Sequence, residues 1–439
     1  MTNKERKELA KWAVNFAQKQ GATEVAASIS NSRSVEIEVR EQKVDKIKES
    51  TQNGLYLQIY RDNKYSGHST NNLKKKELEK FIKEAVESTK YLTADEFRTL
   101  PDPSLYPSGD YSDLQLKDDT YIKIDPEKRL KIAMEIERLA RKQSDKIISA
   151  TGGYSDDYSE SVRVHSNGFI GERVSTSFWA GAEVTVKDGD ARPEGYHWGG
   201  ARHFAEMPTP EELSTQAANY ALQRIGQTKI NSGKYDMLVE NRTVARLLYM
   251  FVGPMSARAL QQKSSYLEGM LDQSIASPLL TVIDDPTIPK GFGSRHYNNE
   301  GLAAKKRVMI EKGVLKQYYV DNYYGKKLGM TPNGGYPSNV VFELGKRDKK
   351  AMTQAIKNGI LVTSFNGGNS NGTTGDFSFG VSGFLIENGK IVKPVNEMNI
   401  SGNAKEFWQQ LAEVGNDPYA YSSMKCPTML FKEIDFSGI

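Results

Sequence analysis

Apolar residues recur along the chain with two periods, and the switches between them lay out its elements. Leu9, Trp12, Ala13, Phe16 and Ala17 fall every three or four residues, as on one face of an α-helix. Thr2-Asn3-Lys4-Glu5 before them has the form of a capping box, and Gly21 is placed to end the helix. Strand-like runs follow at 35–39, 55–60 and 64–68, with Asp62-Asn63 as the turn between the last two. A charged amphipathic helix over 74–91 completes an α-β-β-β-α order, typical of hairpin strands with helices on one face.

Periodicity is lost from 93 to 124, where "LPDPSLYPSGDYSDLQLKDD" predicts a long surface connection. Asp125-Pro126 starts a third helix with Leu130, Ala133, Met134 and Leu139 as its buried face. Strands are expected at 161–165, 169–174 and 182–186, the first two joined at Ser166-Asn167-Gly168. Thr209-Pro210 opens a fourth helix that Gly226 closes. We place a boundary at 226–236, which gives an N-terminal α+β domain over 1–226 and a C-terminal β-rich domain over 227–439.

The second domain begins with a helix containing "RLLYMFVGP", in which Asn241 is the expected cap and Val244, Leu247, Leu248 and Phe251 share one side. Lys312-Gly313 and Asn388-Gly389 each turn a hairpin, and short helices are expected near 348–358 and 403–413. The fold class is therefore α+β, with a hairpin-sheet domain followed by a mostly antiparallel β domain containing few helices.

At 439 residues with 38% apolar content, the chain is long enough for two cores. Lys and Arg number 59 against 55 Asp and Glu, a net charge of +4, and this mixed charge argues against direct nucleic-acid binding. The basic runs at 74–76, 305–307 and 346–350 read as solvated loops and helix faces. One cysteine excludes an intramolecular disulfide and fits a reducing compartment. The charged start "MTNKERKELAKW" is unlike a signal peptide, and no apolar run approaches the roughly 18 residues that cross a bilayer. The expectation is a cytoplasmic protein without membrane contact.

Candidate chemistry is sparse. The five histidines include no pair at i, i+4, and His197, His203 and Glu206 match no ligand spacing. Gly368-Asn369-Ser370-Asn371-Gly372 satisfies G-x-S-x-G, but neither a following helix nor a later histidine accompanies it. The Gly/Asn-rich loop at 366–376 reads instead as exposed backbone able to lie close to another chain. Cys426 in "MKCPTMLFKEIDF" reads as a small buried hydrophobe, and the nearest phosphate-loop match, from Gly383, straddles a hairpin.

Three long stretches carry a resemblance: 294–335 ("SRHYNNEGLAAKKRVMIEKGVLKQYYVDNYYGKKLGMTPNGG"), 375–403 ("GDFSFGVSGFLIENGKIVKPVNEMNISGN") and 414–438. With them the chain resembles the TldD/PmbA family, once called modulators of DNA gyrase, along essentially its whole length. TldD-like chains resemble metalloproteases with H-E-x-x-x-H on a helix, whereas PmbA-like chains, also called TldE, lack that motif and pair with TldD. Laid on this sequence, the first His falls on Tyr249, the Glu on Met250 and the second His on Pro254. A phenol binds metal only as a costly phenolate, a thioether takes no proton from water, and proline offers no ligand atom.

The resemblance thus implies a PmbA/TldE-like subunit without catalytic or metal residues of its own. It implies zinc in a TldD-like partner, and unfolded or short peptides as the pair's substrates; a homodimer is the alternative assembly of the isolated chain. Gly367, Gly368, Asn369 and Ser370 are the residues expected to touch peptide. The rival readings are a non-proteolytic, gyrase-modulating binder and a stand-alone peptidase using Cys426 or Ser370.

Overall fold

The computed structural model describes residues 1–109 and 112–439. Helix α1 (Asn3–Lys19) starts with the expected Thr2/Glu5 capping box. Strands β1 (Glu24–Arg40), β2 (Lys43–Arg61) and β3 (Lys64–Thr70) follow, then α2 (Lys75–Thr89), α3 (Pro126–Arg141), β4 (Ile147–His165), β5 (Ile170–Val186), β6 (Glu194–Ala201) and α4 (Pro210–Leu222). The strands form one antiparallel sheet in the order β3-β2-β1-β4-β5-β6. Odd positions of β1 and even positions of β4 face the helices. Ala27, Ile29, Val162 and Val164 meet α1 and α2, while Val35, Ile37, Tyr154 and Phe178 meet α3 and α4.

Several expectations need correction. The segments 169–174 and 182–186 belong to one strand, β5, which "STSFWAG" carries through without a break. Burial alternates there with the period of a strand, with Thr176, Phe178 and Ala180 inside, but hydrophobicity does not, since Phe178 and Trp179 are adjacent and the rest are small. The buried face of α3 is Ala133, Ile136 and Ala140, with Leu130 and Met134 half-buried, because the helix lies close on the sheet and small residues fit beneath it. The 93–124 segment is no mere surface connection: Leu100, Leu114, Tyr121 and Ile124 are buried. Its carbonyls at Leu105 and Leu114 accept bonds from Ala303 and Lys290 of the second half, at 2.9 and 2.8 Å. Residues 110 and 111 of that segment lie outside the described residues.

The second half contains β7 (Gly233–Val239), α5 (Asn241–Val252), α6 (Ala257–Gln261), β8 (Val282–Asp284), β9 (Arg307–Glu311), β10 (Val314–Leu315), α7 (Asn322–Leu328) and β11 (Val340–Phe342). It continues with α8 (Lys349–Gln354), β12 (Asn358–Ser370), β13 (Asp376–Glu387), β14 (Lys390–Asn403), α9 (Ala404–Phe407), β15 (Leu411–Val414) and β16 (Met429–Ser437). Its main sheet has the order β14-β13-β12-β7-β16-β15, and β14 also pairs with β16, which curls the sheet on itself. Only β7 and β12 run parallel in it. A smaller sheet, β10-β9-β8-β11, stands beside it. The α5 face formed by Val244, Leu247, Leu248 and Phe251 is buried in this core, with Phe251 4.8 Å from Trp408 between ring centroids.

Both Gly-containing hairpin turns are present, with positive φ at Lys312-Gly313 and Asn388-Gly389. The helices expected near 348–358 and 403–413 are shorter than predicted, and α6 and α7 were not foreseen because five and seven residues hold too few turns for a period to emerge. The run 305–307 is not wholly solvated, since Arg307 is buried against Asp284 at 2.8 Å.

Candidate functional site

Helix α5 does not start as predicted. Its N-cap is Glu240, which makes no side-chain cap bond, and Asn241 occupies the first helical position. Asn241 Nδ2 donates to the Asp417 carbonyl at 2.7 Å, and its Oδ1, the group expected to cap, accepts from the adjacent Arg242 N–H at 2.7 Å. Glu240 is almost wholly buried and accepts from Arg242 at 2.8 Å and from Lys349.

From that start, Arg242, Arg246 and Tyr249 follow at i, i+4 and i+7 and share one helix face. That face forms one wall of a cleft of about 490 Å³, with Thr363, Phe365 and Gly367 of β12 beside it. Across the cleft stand Tyr196, His197 and Trp198 of β6, and Tyr419 closes one side. Two arginines and no carboxylate line it. Burial, with a smaller effect from Arg242, lowers the pKa of His197, and burial pushes the Tyr419 phenol up to about 12, so both stay neutral near pH 7.

The β6 wall is the end of its sheet. Arg242 Nη1 donates to the Tyr196 carbonyl at 3.3 Å, so that carbonyl faces the cleft, and strand alternation points the backbone of Trp198 the same way. Among the described residues no backbone group pairs with that edge. Trp198 fits because Gly153 and Gly181 lie beneath its ring; a Cβ on Gly153 would stand 2.3 Å from the indole.

The β12 wall is shaped by a bulge. Gly367 and Gly368 both have positive φ, 68° and 74°, and the pairing with β13 shifts register between Asn366 and Asn369. The stretch expected as a loop at 366–376 is therefore strand as far as Ser370, because backbone pairing with Phe377 and Ser378 continues past the glycines. Gly367 lines the cleft, and the Gly368 carbonyl accepts from Arg246 Nη2 at 2.8 Å. Asn369 and Ser370 lie farther along the exposed hairpin and do not line the cleft.

The three motif positions diverge. Tyr249 is 56% exposed in the cleft, Met250 is 2% exposed and points into the core, and Pro254 is buried against Gly372. Elsewhere His203 meets the Gln115 carbonyl at 2.9 Å, His197 packs near Tyr220 and Tyr421, and Glu206 pairs with Lys290. Among the described residues no three of His, Cys, Asp and Glu converge as a metal would require. Cys426 is wholly buried, and burial pushes its thiol up to about 12, so it is not a thiolate nucleophile at neutral pH.

The matches to known proteins span this architecture. Residues 25–89, 119–225 and 232–438 match the first, central and C-terminal domains of the PmbA/TldA metallopeptidases. A Bacteroides thetaiotaomicron structure, described as a candidate modulator of DNA gyrase, is 38% identical over 100% of both chains, with a TM-score of 0.97. The chain belongs to the PmbA/TldD metallopeptidase family. Metalloprotease PmbA of Escherichia coli O157:H7 is 25% identical over 96% of this chain and 93% of its own. TldE from Thermococcus kodakarensis shares the fold, with a TM-score of 0.87 at 21% identity over 98% of this chain and 100% of that one.

The PmbA/TldD family name implies a metal, but the donor set at Tyr249, Met250 and Pro254 does not fit one. One side chain is a phenol, the next points away, and the third has no donor. Sequence reasoning missed Arg242, Arg246, Tyr196 and Trp198. The i, i+4, i+7 spacing of Arg242, Arg246 and Tyr249 was a readable signal for a common polar face; the strand opposite them was not foreseen.

Proposed function

We propose that this chain is the PmbA/TldE-like, non-metal subunit of a heterodimeric peptidase whose TldD-like partner carries the zinc. The observation that carries this reading is α5 itself. It retains the buried face of a core helix and presents Arg246 and Tyr249 to a cleft, while its motif positions hold no metal donor set. The substrate is an unfolded or short peptide, and this chain forms part of the cavity wall that holds it. The unpaired edge of β6 offers alternating N–H and C=O groups to an extended peptide, which would add as a further strand. The bulge at Gly367 and Gly368 brings exposed backbone to the other side. The complex works in the cytoplasm, in keeping with the lone, buried thiol; among the described residues no helix is long and apolar enough to cross a membrane.

Co-expression with a TldD-like chain tests the reading. The expected result is a stable pair with chelator-sensitive peptidase activity that this chain lacks when purified alone. Stoichiometric zinc in the isolated chain, with activity to match, overturns it.

A further inference from the structure

One of the two arginines that line the cleft has no carboxylate partner among the described residues. Arg242 is committed: Glu240 neutralises it, its guanidinium stacks on Tyr220 at 3.6 Å, and it holds the Tyr196 carbonyl. Arg246, one turn on, has no carboxylate partner among the described residues and is exposed. It is nevertheless held in place, with Nη2 on the Gly368 carbonyl at 2.8 Å and the guanidinium 5.0 Å from the centre of the Phe379 ring. A guanidinium has five N–H donors, so this single bond leaves a planar fork for a carboxylate. Fixing the fork before binding reduces the entropy that a ligand must overcome.

We propose that Arg246 is a specificity residue that binds a carboxylate of the peptide lying along β6. This rests on the reading above that the chain lines a peptide cavity, and it adds the chemical class: peptides bearing a carboxylate, terminal or side-chain. Tyr196, Trp198, Arg246 and Gly367 line one cleft, so a strand added along the β6 edge enters the space that Arg246 faces; Arg242 Nη1 lies on the Tyr196 carbonyl at 3.3 Å and leaves that oxygen one lone pair for the peptide. The rest of the cleft is suited to an uncharged peptide body, since Arg242 is neutralised by Glu240 and the other lining includes Tyr196, Trp198, Tyr249, Phe365 and the Thr363 hydroxyl.

Fluorescence anisotropy with the full-length chain tests this. Three labelled octapeptides of one strand-forming sequence are compared: the free acid, the C-terminal amide, and the amide with one aspartate near its end. The expected result is that at least one carboxylate peptide binds about tenfold tighter than the plain amide. The Arg246→Gln chain should hold all three at the amide's level, and Arg246→Lys should keep part of the difference. Which carboxylate peptide gains identifies the source of the charge. Equal binding of all three, no binding of any, or a preference that survives Arg246→Gln overturns the proposal, as does tighter binding of a single-stranded oligonucleotide of similar length. Thermal melting of each variant separates lost binding from lost folding. Loss of carboxylate preference in a chain that still forms an active pair with a TldD-like partner removes this inference alone; failure to form the pair removes the parent reading.

Discussion

The two six-stranded sheets pair their strands in different ways. In the first, β1 and β4 pair from Ala26 to Arg40 without a register shift, and β4 and β5 shift only at Ile147/Ser149. In the second, β12 and β13 shift twice, β13 and β14 shift twice, and β7 and β16 shift between Phe431 and Ile434. Uninterrupted pairing keeps alternate backbone groups aimed one way along the whole of β6. Bulges bend a strand and re-aim its backbone, as they do where β12 approaches Arg246. The cleft joins a regular edge, β6, to an irregular wall, β12, whose shifts at Val362/Ser364 and Asn366/Asn369 fall beside the lining residues Thr363, Phe365 and Gly367.

The largest expected effect asks whether the regular sheet and the small sheet β10-β9-β8-β11 of the irregular half each depend on a buried ion pair. In the regular sheet Asp156, fully buried, accepts from Arg129 and from the Tyr121 and Tyr154 phenols, both at 2.8 Å. In the irregular half Asp284 accepts from Arg307 and from the Ser338 backbone and hydroxyl. Asp156→Ala and Asp284→Ala each leave a buried guanidinium without its counter-ion, and each should cost about 3–5 kcal/mol in urea unfolding. Hydrogen exchange should show lost protection first in the sheet that carries the substitution. A loss below about 1 kcal/mol for either, or equal loss of protection in both sheets, breaks the comparison.

Legibility in the sequence follows the same division. The capping box at Thr2, the helix start at Thr209-Pro210, and the turns at Asp62-Asn63, Lys312-Gly313 and Asn388-Gly389 were readable because each depends on residues within four positions. The full length of β4 and β5 was not, because Ser, Thr and Gly in "ATGGYSDDYSES" carry no hydrophobic alternation and are held by neighbours distant in sequence. The Asn241 cap was misread since the helix starts one residue earlier than its pattern suggests, with Glu240 at the cap and Asn241 anchored to the Asp417 carbonyl, 176 residues away. Of the site, the glycines at 367 and 368 could be suspected from composition alone. The apposition of β6 with Arg246 joins residues about 50 apart in the chain, which no local pattern reports.

The bulge itself permits a smaller and sharper test. At Gly368, φ is +74° and an added Cβ would stand 2.0 Å from the Ser378 carbonyl, so alanine meets both backbone strain and a hard contact. At Gly367, φ is +68° but nothing lies within 4 Å. Gly367→Ala should therefore cost only about 1 kcal/mol, and Gly368→Ala about 2–3 kcal/mol, by the same denaturation measurement. Equal costs mean that strain alone sets them and that the bulge is not gripped by β13. If Gly368→Ala also weakens peptide binding while Gly367→Ala does not, the re-aimed carbonyl that positions Arg246 is the functional part of the bulge.

The smallest effect lies where the two halves meet. Glu300 sits beside Arg163 and His165 of the regular sheet, and accepts from the Asn322 backbone at 3.1 Å. Burial raises its pKa above the ordinary 4.5, since a charge there loses its hydration. A carboxyl with a raised folded pKa holds its proton more firmly in the folded than in the unfolded chain. Its contribution to stability is then complete below about 4.5 and is lost as pH rises through the folded value. The Glu300→Gln chain lacks this loss, so its melting temperature relative to the parent chain should increase from about pH 5 to about pH 7. His165, whose pKa burial lowers to about 3, is neutral in both folded chains and largely cancels in that difference. A difference that stays flat or narrows with pH means that Arg163 compensates the charge fully, and that the junction is held by ion pairing as each sheet is.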